Sequence, residues 1–336
     1  MHHDHPMHHQ PSDRVAVISG GVGAARFLLG LIDSVDPARI SAVVNTGDDT
    51  VLHGLSISPD IDTITYTLAG AIDPERGWGL VDETWRAMGA LEKYAKIRPE
   101  GSSAAPQWFN LGDQDLATHF YRTARLAEGA TLTEVTNEIR RAWDLPIEIL
   151  PMSDDRCSTI VSVTTDPDAG GAPRDVSFQD YFVRLRHSVP VSAVRFDGQA
   201  ELSPTALRTL ESADVIVIAP SNPLVSIGPM RSLAGVDNLL ASRRDRTVAV
   251  SPIVGGAALK GPADRMLAEL GHEPSVVGVA RMYADIASVL VIDPADEHLV
   301  AQVESTGMRC VVTPSIMSTP DIARELAENT LAAVST

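Results

Sequence analysis

Short apolar runs alternate with amphipathic stretches at the start of the chain. RVAVISGG (14–21) is rich in β-branched residues and stops at two glycines, and ARFLLGLIDSV (25–35) follows with apolar residues at helical spacing. ISAVVN (40–45) is a second apolar run. A strand, a helix and a strand within about 30 residues are typical of the βαβ unit of a parallel sheet. The start of the chain therefore predicts a parallel α/β sheet.

The same pattern returns in the second half of the chain. The apolar runs there end in Pro, Ser, Gly or Asp or run into Pro, and we predict strands at 214–223, 247–256, 275–280, 288–294 and 309–314. Continuous apolar strands are typical of a parallel sheet that is buried on both faces. Between the two halves, residues 80–144 are mostly helical in pattern, and antiparallel strands are predicted at 158–165, 176–186 and 191–196.

These patterns predict an α/β fold with a doubly wound, mainly parallel, Rossmann-like core. We expect the core from residues 13–79 and 205–336, and a helical and antiparallel-β insertion from residues 80–204. Residues 1–12 are rich in histidine, and we interpret them as a disordered tail, either native or added to the protein.

Composition narrows the classes of function. With 44 acidic and 27 basic residues, the net charge of −17 argues against nucleic acid as the main partner, because phosphate backbones bind Lys and Arg. No apolar run approaches the roughly 18–20 residues of a membrane span, and the N-terminus lacks the apolar stretch of a secretory signal. The two cysteines, Cys157 and Cys310, have no partner at metal-site spacing. We therefore expect a cytoplasmic protein with no membrane partner.

The glycine-rich turn after the first strand is a candidate anion site. Gly20, Gly21 and Gly23 allow close approach of the backbone, and the N-terminus of the following helix offers free N–H groups, which favour phosphate. Arg26 stands where the dinucleotide fingerprint has its third glycine, and Asn45 stands where NAD enzymes place an acidic residue. An NAD-dependent oxidoreductase is therefore disfavoured. A tight turn without a ligand stays open as an alternative.

Four aspartates are concentrated shortly after the second strand. Asp48 and Asp49 come three and four residues after Asn45, and Asp60 and Asp62 flank Ile61 just after Pro59. Carboxylates beside a phosphate repel it unless a hard cation lies between them, and Mg²⁺ binds one or two carboxylates together with phosphate oxygens. The group therefore predicts a magnesium site with a diphosphate ligand. Solvated aspartates that cap helices are the alternative for Asp60 or Asp62 taken singly.

The chain resembles the 2-phospho-L-lactate transferase family, whose actinobacterial members are phosphoenolpyruvate transferases of coenzyme F-420 synthesis. The resemblance covers nearly the whole chain after the tail. The motifs that carry it are SGGVGAARFLLGL, VVNTGDD, HGLSISPDIDT, DPERGWG, NLGDQDLATH, LPMSDD, FQDYFV, APSNPLVSIGP and SPIVGGAALKGPAD.

The resemblance implies a Mg²⁺-dependent transfer between two small molecules. The acceptor is Fo, an 8-hydroxy-5-deazariboflavin, and the donor is a guanosine diphosphate that carries lactate or enolpyruvate. The Fo ribityl hydroxyl attacks the distal phosphorus and GMP leaves. The sequence does not choose between the two donors, although its composition favours enolpyruvate. A homodimer is also implied, with the insertion covering the deazaflavin.

The matched motifs imply that Asp62 and Asn110 contact the deazaflavin and that the SGGVG, APSNP and SPIVGG loops hold the guanosine nucleotide. From the crowding of charge we expect that Asp48 or Asp49 binds Mg²⁺, and that Asp49 and Asp62 act in catalysis, with Asp62 orienting or deprotonating the Fo hydroxyl. The ligand-binding set is completed by Gly20, Gly21, Gly23, Asn45, Asp60, Ser221, Asn222, Pro223, Ser251, Gly255 and Gly256. Many members of the family have Arg where this chain has Gln114, which puts one phosphate contact in doubt. The main alternative is a nucleotide-sugar-binding regulator of the gluconeogenesis-factor type, which would bind its ligand without turnover.

Overall fold

The computed structural model describes residues 13–100, 102–106, 108–166 and 170–334 of the 336-residue chain, so the predicted tail lies outside the described residues. The strands are β1 (Val15–Ser19), β2 (Ile40–Val44), β3 (Thr50–Leu52), β4 (Leu55–Ile57), β5 (Glu148–Pro151), β6 (Ser158–Val163), β7 (Arg174–Ser177), β8 (Val191–Asp197), β9 (Val215–Ile218), β10 (Thr247–Val250), β11 (Ile253–Val254), β12 (Ala257–Ala258), β13 (Val289–Ile292) and β14 (Arg309–Val312). The helices are α1 (Gly21–Ile32), α2 (Pro59–Leu68), α3 (Arg86–Ala95), α4 (Asp113–Ala127), α5 (Leu132–Ala142), α6 (Pro204–Ser212), α7 (Gly228–Arg231), α8 (Val236–Ser242), α9 (Ala263–Glu269), α10 (Val276–Tyr283), α11 (Val300–Glu304) and α12 (Pro320–Ala332).

A seven-stranded, all-parallel sheet forms the centre of the molecule, in the order β14-β13-β10-β9-β1-β2-β5. The chain builds outward from β1 in one direction through β2 and β5, and in the other direction through β9, β10, β13 and β14. This confirms the predicted doubly wound fold. Such sheets bind ligands where the strand order reverses, outside the carboxyl ends of the strands. Here that point lies between β1 and β9.

Alternate side chains of each central strand enter two different cores. In β1, Ala16 and Ile18 face one core, and Val15 and Val17 face the other. Helices α6, α8 and α10 cover the first face, and α1, α2 and α12 cover the second. Both faces are therefore buried, which explains why the central strands are continuously apolar.

Two sequence predictions differ from the structure. Residues 275–280 are not a strand but the start of α10, because the Ser275 hydroxyl caps the helix by accepting from the backbone N–H of Val277 and of Gly278. Strand β5, which lies within the range predicted as the insertion, joins the central sheet as its edge strand beside β2. Pro151 ends this strand, and the edge position leaves no ladder hydrogen bond for its missing N–H to break.

The middle of the chain carries smaller units. A three-stranded antiparallel sheet has the order β7-β6-β8, and β3–β4 and β11–β12 form two short hairpins. The strand predicted at 176–186 is shorter than expected, because Asp180–Arg184 form a π-helical turn after β7. Among the described residues, no helix is both long enough and apolar enough to span a membrane.

Candidate functional site

The glycine turn between β1 and α1 lies at the point where the strand order reverses. Gly21 has a φ of +70°, a backbone conformation that favours glycine. The Ser221 hydroxyl, just after β9, donates to the Gly20 carbonyl at 2.7 Å and lies 3.3 Å from the Gly20 nitrogen. The predicted glycine and APSNP loops therefore meet directly.

A carboxylate occupies the N-terminus of α1, where the sequence predicts a phosphate. Asp60 accepts a hydrogen bond from the backbone N–H of Gly21. A Cβ on Gly20 would lie 3.0 Å from Asp60 Oδ2, so this glycine lets the carboxylate come close. Gly23 is needed for a different contact, because a Cβ added there would lie 2.1 Å from the backbone oxygen of Pro220. The turn thus seats Asp60 and packs α1 against the neighbouring loop.

Asn45 connects the acidic residues to the sheet. Its backbone N–H donates to Ser19 at the end of β1, and its side chain donates from Nδ2 to Asp60 Oδ2 at 2.9 Å. Its Oδ1 accepts from the Gly47 N–H at 2.9 Å, which shapes the turn that carries Asp48. The buried Asn45 therefore fixes Asp60 relative to the turn that carries Asp48, and its predicted contact with a ligand stays a prediction.

Asp48, Asp49 and Asp60 form an acidic group, which we name the acidic trio. No basic side chain of the described residues is hydrogen-bonded to it, so its negative charge has no direct counter-ion. Asp48 is buried, and its Oδ1 has no hydrogen-bond partner in the described part of the chain. Asp49 accepts from the Ser58 hydroxyl at Oδ2 (2.7 Å), while its own Oδ1 is buried and, by the same measure, unpartnered. These two oxygens are the ones that a bound cation would satisfy.

The pKa values of the trio reflect this environment. Burial, followed by the charge of Asp60, raises the pKa of Asp48 well above its usual value. Burial also raises the pKa of Asp49 well above its usual value, although Ser58 and the charge of Arg122 oppose the shift. Burial raises the pKa of Asp60 to about 6, against the hydrogen bonds from Asn45 and Gly21. The raised pKa values mean that the charged form of all three carboxylates is disfavoured. A bound divalent cation would favour that charged form.

Asp62 lies in a different environment, because the guanidinium of Arg122 holds both of its carboxylate oxygens. Arg122 Nη1 donates to Asp62 Oδ2 at 3.1 Å, and Nη2 donates to Oδ1. Arg122 comes from α4, 60 residues further along the chain, and its side chain is fully buried. Burial alone would lower the pKa of Arg122, but the charge and hydrogen bonds of Asp62, together with the charge of Asp49, raise that pKa above its usual value.

The ion pair continues into a buried network between α2 and α4. His119 Nδ1 lies 3.2 Å from Arg122 Nη1, and His119 Nε2 lies 3.1 Å from Asp115 Oδ1. The Tyr66 hydroxyl donates to Asp115 Oδ1 at 2.7 Å. Burial would raise the pKa of Asp115, but the His119 ring and the Tyr66 hydroxyl lower it below its usual value.

Two groups of side chains have atoms of the kind that bind a metal ion. Ligand atoms of Asp62, Asp115 and His119 lie within 4.8 Å of one another, but Arg122 already supplies the positive charge there. The acidic trio fits better, because it has unpartnered buried carboxylate oxygens and no basic side chain hydrogen-bonded to it in the described residues. Hard oxygen ligands of this kind suit Mg²⁺. Of the predicted metal residues, Asp48 and Asp49 therefore both lie where a cation fits.

Several predicted ligand residues shape their own loops. Asn222 Oδ1 accepts from the Leu224 N–H at 2.9 Å, and Ser251 Oγ accepts from the Ile253 N–H at 3.1 Å. Gly255 and Gly256, with φ of +60° and +78°, form the two-residue turn between β11 and β12. Their predicted contacts with a nucleotide stay predictions, as does that of the buried Pro223.

Asn110, predicted to contact the deazaflavin, is exposed in the loop that leads into α4. Gln114 is also exposed, and its Nε2 donates to the Val81 carbonyl at 3.3 Å. In this chain it therefore fastens the start of α4 to the preceding loop. Sequence reasoning missed Arg122, and the HxxR spacing of His119 and Arg122 on one helix face is the only signal that was available.

Comparisons with known proteins agree with the motifs. A family model described as 2-phospho-L-lactate transferase CofD matches residues 15–326. Proteins named phosphoenolpyruvate transferase from Kitasatospora aureofaciens and Streptomyces griseus are 40% and 41% identical to this chain, and each match covers 95% of this chain and 97% of the relative. A protein of that name from Mycobacterium avium is 38% identical over 93% of this chain and 96% of its own length.

Solved structures support the fold. The crystal structure of protein BH3568 from Bacillus halodurans, described as a member of the UPF0052 family, matches with a TM-score of 0.58 at 15% identity, covering 96% of this chain and 99% of that one. That likeness supports the fold alone, whereas the family model matches residues 15–326 and the named relatives are about 40% identical. The chain therefore belongs to the 2-phospho-L-lactate transferase CofD family, and it is a transferase of coenzyme F-420 biosynthesis, as its sequence motifs predicted.

Proposed function

We propose that the protein transfers a phosphoenolpyruvyl group from enolpyruvyl-diphosphoguanosine to Fo. The observation that carries the choice of donor is the set of relatives named phosphoenolpyruvate transferase at about 40% identity. An oxygen–phosphorus bond forms between the Fo ribityl hydroxyl and the distal phosphorus, the bond from that phosphorus to GMP breaks, and the hydroxyl proton is lost. GMP leaves with the bonding electron pair. The lactyl donor, which gives the 2-phospholactyl product, is the alternative.

The acidic trio is proposed as the Mg²⁺ site of this reaction. Asp48 and Asp49 would supply the ligands through the two buried oxygens that have no hydrogen-bond partner in the described residues. Asp60, held by Asn45 and the Gly21 N–H, would stand behind them and add negative charge. Bound Mg²⁺ would neutralise the donor diphosphate, and phosphoryl transfer depends mainly on such charge neutralisation and positioning.

Asp62 is proposed to orient the acceptor. Because Arg122 binds both of its oxygens, Asp62 is better placed to accept a hydrogen bond from the Fo hydroxyl than to remove its proton. Asp49 would act in catalysis by holding the cation through its Oδ1, which the described residues leave without a partner, and the proton of the Fo hydroxyl would be lost to solvent. The exposed Asn110 would contact the deazaflavin at the outer end of the site.

The test is product analysis by mass spectrometry. Purified protein is supplied with Fo, Mg²⁺ and either the enolpyruvyl or the lactyl donor, with a reaction lacking Mg²⁺ as the control. We expect GMP and dehydro-F-420-0 from the enolpyruvyl donor, and little product without Mg²⁺. Product from the lactyl donor alone would reverse the choice of donor. Binding of UDP-sugars without any product from either donor would favour the regulator instead.

The homodimer and the cytoplasmic location stay predictions of the sequence. The size of the particle in solution, measured by light scattering, tests the first.

A further inference from the structure

Helices α2 and α4 meet through charged side chains that are almost wholly removed from water. Asp62 and Tyr66 lie one turn apart on α2, and Asp115, His119 and Arg122 lie on one face of α4. Arg122 is 0% exposed and His119 is 1% exposed. We name these five residues the α2–α4 network. Replacing a buried ion pair by apolar residues is often neutral or stabilising, so stability alone does not explain such a network.

The hydrogen bonds of the network run in one direction. A guanidinium has no acceptor, so His119 Nδ1 must accept from Arg122 Nη1 at 3.2 Å. The ring hydrogen of a neutral His119 then lies on Nε2, which faces Asp115 Oδ1 at 3.1 Å. The Tyr66 hydroxyl donates to that same Asp115 oxygen. Asp115 Oδ1 lies beside the His119 ring without the geometry of a hydrogen bond to Nε2, whereas the contact from His119 Nδ1 to Arg122 helps to fix the plane of the guanidinium.

The far end of the network is the residue predicted to contact Fo. Arg122 binds Asp62 with two parallel N–H donors, which sets both the position and the rotation of the carboxylate. A carboxylate held in this way presents its remaining lone pairs in one fixed direction. The network also positions the start of α4, because Asp115 lies five residues after Asn110. The two predicted Fo contacts thus depend on one set of buried contacts.

Resting on the proposed function, we propose that Arg122 is a positioning residue for the acceptor: it holds the Asp62 carboxylate in the orientation that receives the Fo hydroxyl, and His119 holds Arg122 in place. Arg122 acts through Asp62 and does not touch the substrate. The effect of changing Arg122 should therefore be on the acceptor and on turnover, while the donor and Mg²⁺, which bind at the acidic trio, should be little affected.

The experiment compares steady-state kinetics of four variants with wild type. Arg122→Lys keeps the charge but loses the fork, and it should lower kcat/KM for Fo on the order of 10- to 100-fold, the usual cost of a small misplacement. His119→Asn keeps an acceptor near the position of Nδ1, whereas His119→Leu removes it, so the Asn variant should retain more activity than the Leu variant. In all variants the donor KM should stay within about twofold of wild type.

Arg125→Lys is the matched control, because Arg125 lies one turn beyond Arg122 on the same helix and also binds a carboxylate with two N–H groups, Nε and Nη2, which contact Glu138 at 3.0 Å each. Its side chain is partly exposed and lies outside the α2–α4 network. This variant should keep wild-type kinetics. Melting temperatures of all variants are measured in parallel, so that a loss of folding is separated from a loss of positioning.

A double variant decides whether Arg122 acts through Asp62. In an Asp62→Asn background the carboxylate is already lost, so Arg122→Lys should lower kcat/KM for Fo by much less than it does in wild type. Equal losses in both backgrounds, or a folded Arg122→Lys variant with wild-type kinetics, would overturn the inference while leaving the proposed function intact. A wild-type protein that makes no product from Fo overturns the proposed function and this inference together.

Discussion

The acidic trio and Asp62 come from one short stretch of sequence, but the fold treats them oppositely. Asp62 receives a complete counter-ion from within the protein, since Arg122 binds both of its oxygens. Asp48 and Asp49 each keep a buried oxygen without a hydrogen-bond partner in the described residues, and burial raises the pKa of both. Arg122 supplies the positive charge for Asp62 and so fixes the orientation of its carboxylate. No such counter-ion binds Asp48 or Asp49 in the described residues, so a cation could bind there.

This difference explains why the crowding of four aspartates is tolerated. A buried carboxylate without a counter-ion normally has a raised pKa, and burial raises the pKa of all three members of the trio. A cation with a diphosphate restores the charged form without rearranging the fold. Asp62 needs no such cation, because Arg122 already binds both of its oxygens.

The largest loss of stability should come from breaking the ion pair between Asp62 and Arg122. Arg122→Met removes the counter-ion of Asp62 and leaves its charge buried, which costs about 3–5 kcal/mol. Arg125→Met removes a partly exposed pair on the same helix and should cost much less, because solvent screens an exposed ion pair. Urea denaturation monitored by circular dichroism measures both. Similar decreases in the free energy of unfolding for the two variants would show that the buried pair contributes no more to stability than the exposed one.

A smaller effect on stability, of opposite sign, is expected from removing one charge of the acidic trio. The pKa of Asp60 is raised from 3.8 to about 6, so its contribution to stability is full below pH about 4 and is lost as the pH rises through 6. In metal-free protein at pH 7.5, Asp60→Asn should therefore be more stable than wild type by about 2–3 kcal/mol. The gain should shrink as the pH is lowered from 7.5 to 5.

Asp73→Asn is the control for this pH dependence. The backbone N–H of Arg76 holds the pKa of Asp73 below its usual value, so its contribution to stability is present above that value. Removing this carboxylate should cost stability at pH 7.5 and less in acid, opposite to Asp60→Asn. A metal-free Asp60→Asn variant that is less stable than wild type at pH 7.5 would contradict the idea of an uncompensated trio.

The smallest effect concerns the hydrogen bond that the trio receives from Ser58. Ser58→Ala removes the donor to Asp49 Oδ2 and should cost on the order of 1–2 kcal/mol at pH 7.5. Part of this loss should return when Mg²⁺ is added, because the cation would compensate the same carboxylate. Thermal unfolding with and without Mg²⁺ measures both. A loss of the same size in both conditions would place the cation away from Asp49.

The sequence predicted the central sheet because parallel strands have a simple signature. The apolar runs of β1, β2, β9, β10 and β13 are buried on both faces, and the pattern locates these strands and the half-buried edge strand β14 to within a few residues. The run at 275–280 has the same composition, but Ser275 caps a helix there. Composition cannot separate a short buried helix from a short buried strand, and only the capping contact decides.

The candidate site was predictable in its residues more than in their roles. Gly20, Asn45 and Asp60 do come together, as the strand ends required. That Asp60 would occupy the N-terminus of α1 could not be foreseen, since it depends on how α2 is oriented above the glycine turn. Arg122 was missed for the same reason: the contact between α2 and α4 joins residues 60 positions apart, and no local pattern records it.

The most direct test is calorimetric titration of Mg²⁺ in the presence of a guanosine nucleotide donor that cannot react because Fo is absent. Wild type and Asp62→Asn should bind Mg²⁺ with similar affinity, since Asp62 is already paired with Arg122. Asp48→Asn and Asp49→Asn should each lose most of the binding, because each supplies a carboxylate oxygen that the described residues leave without a partner. Loss of Mg²⁺ binding in Asp62→Asn, with Asp48→Asn and Asp49→Asn unaffected, would contradict this account.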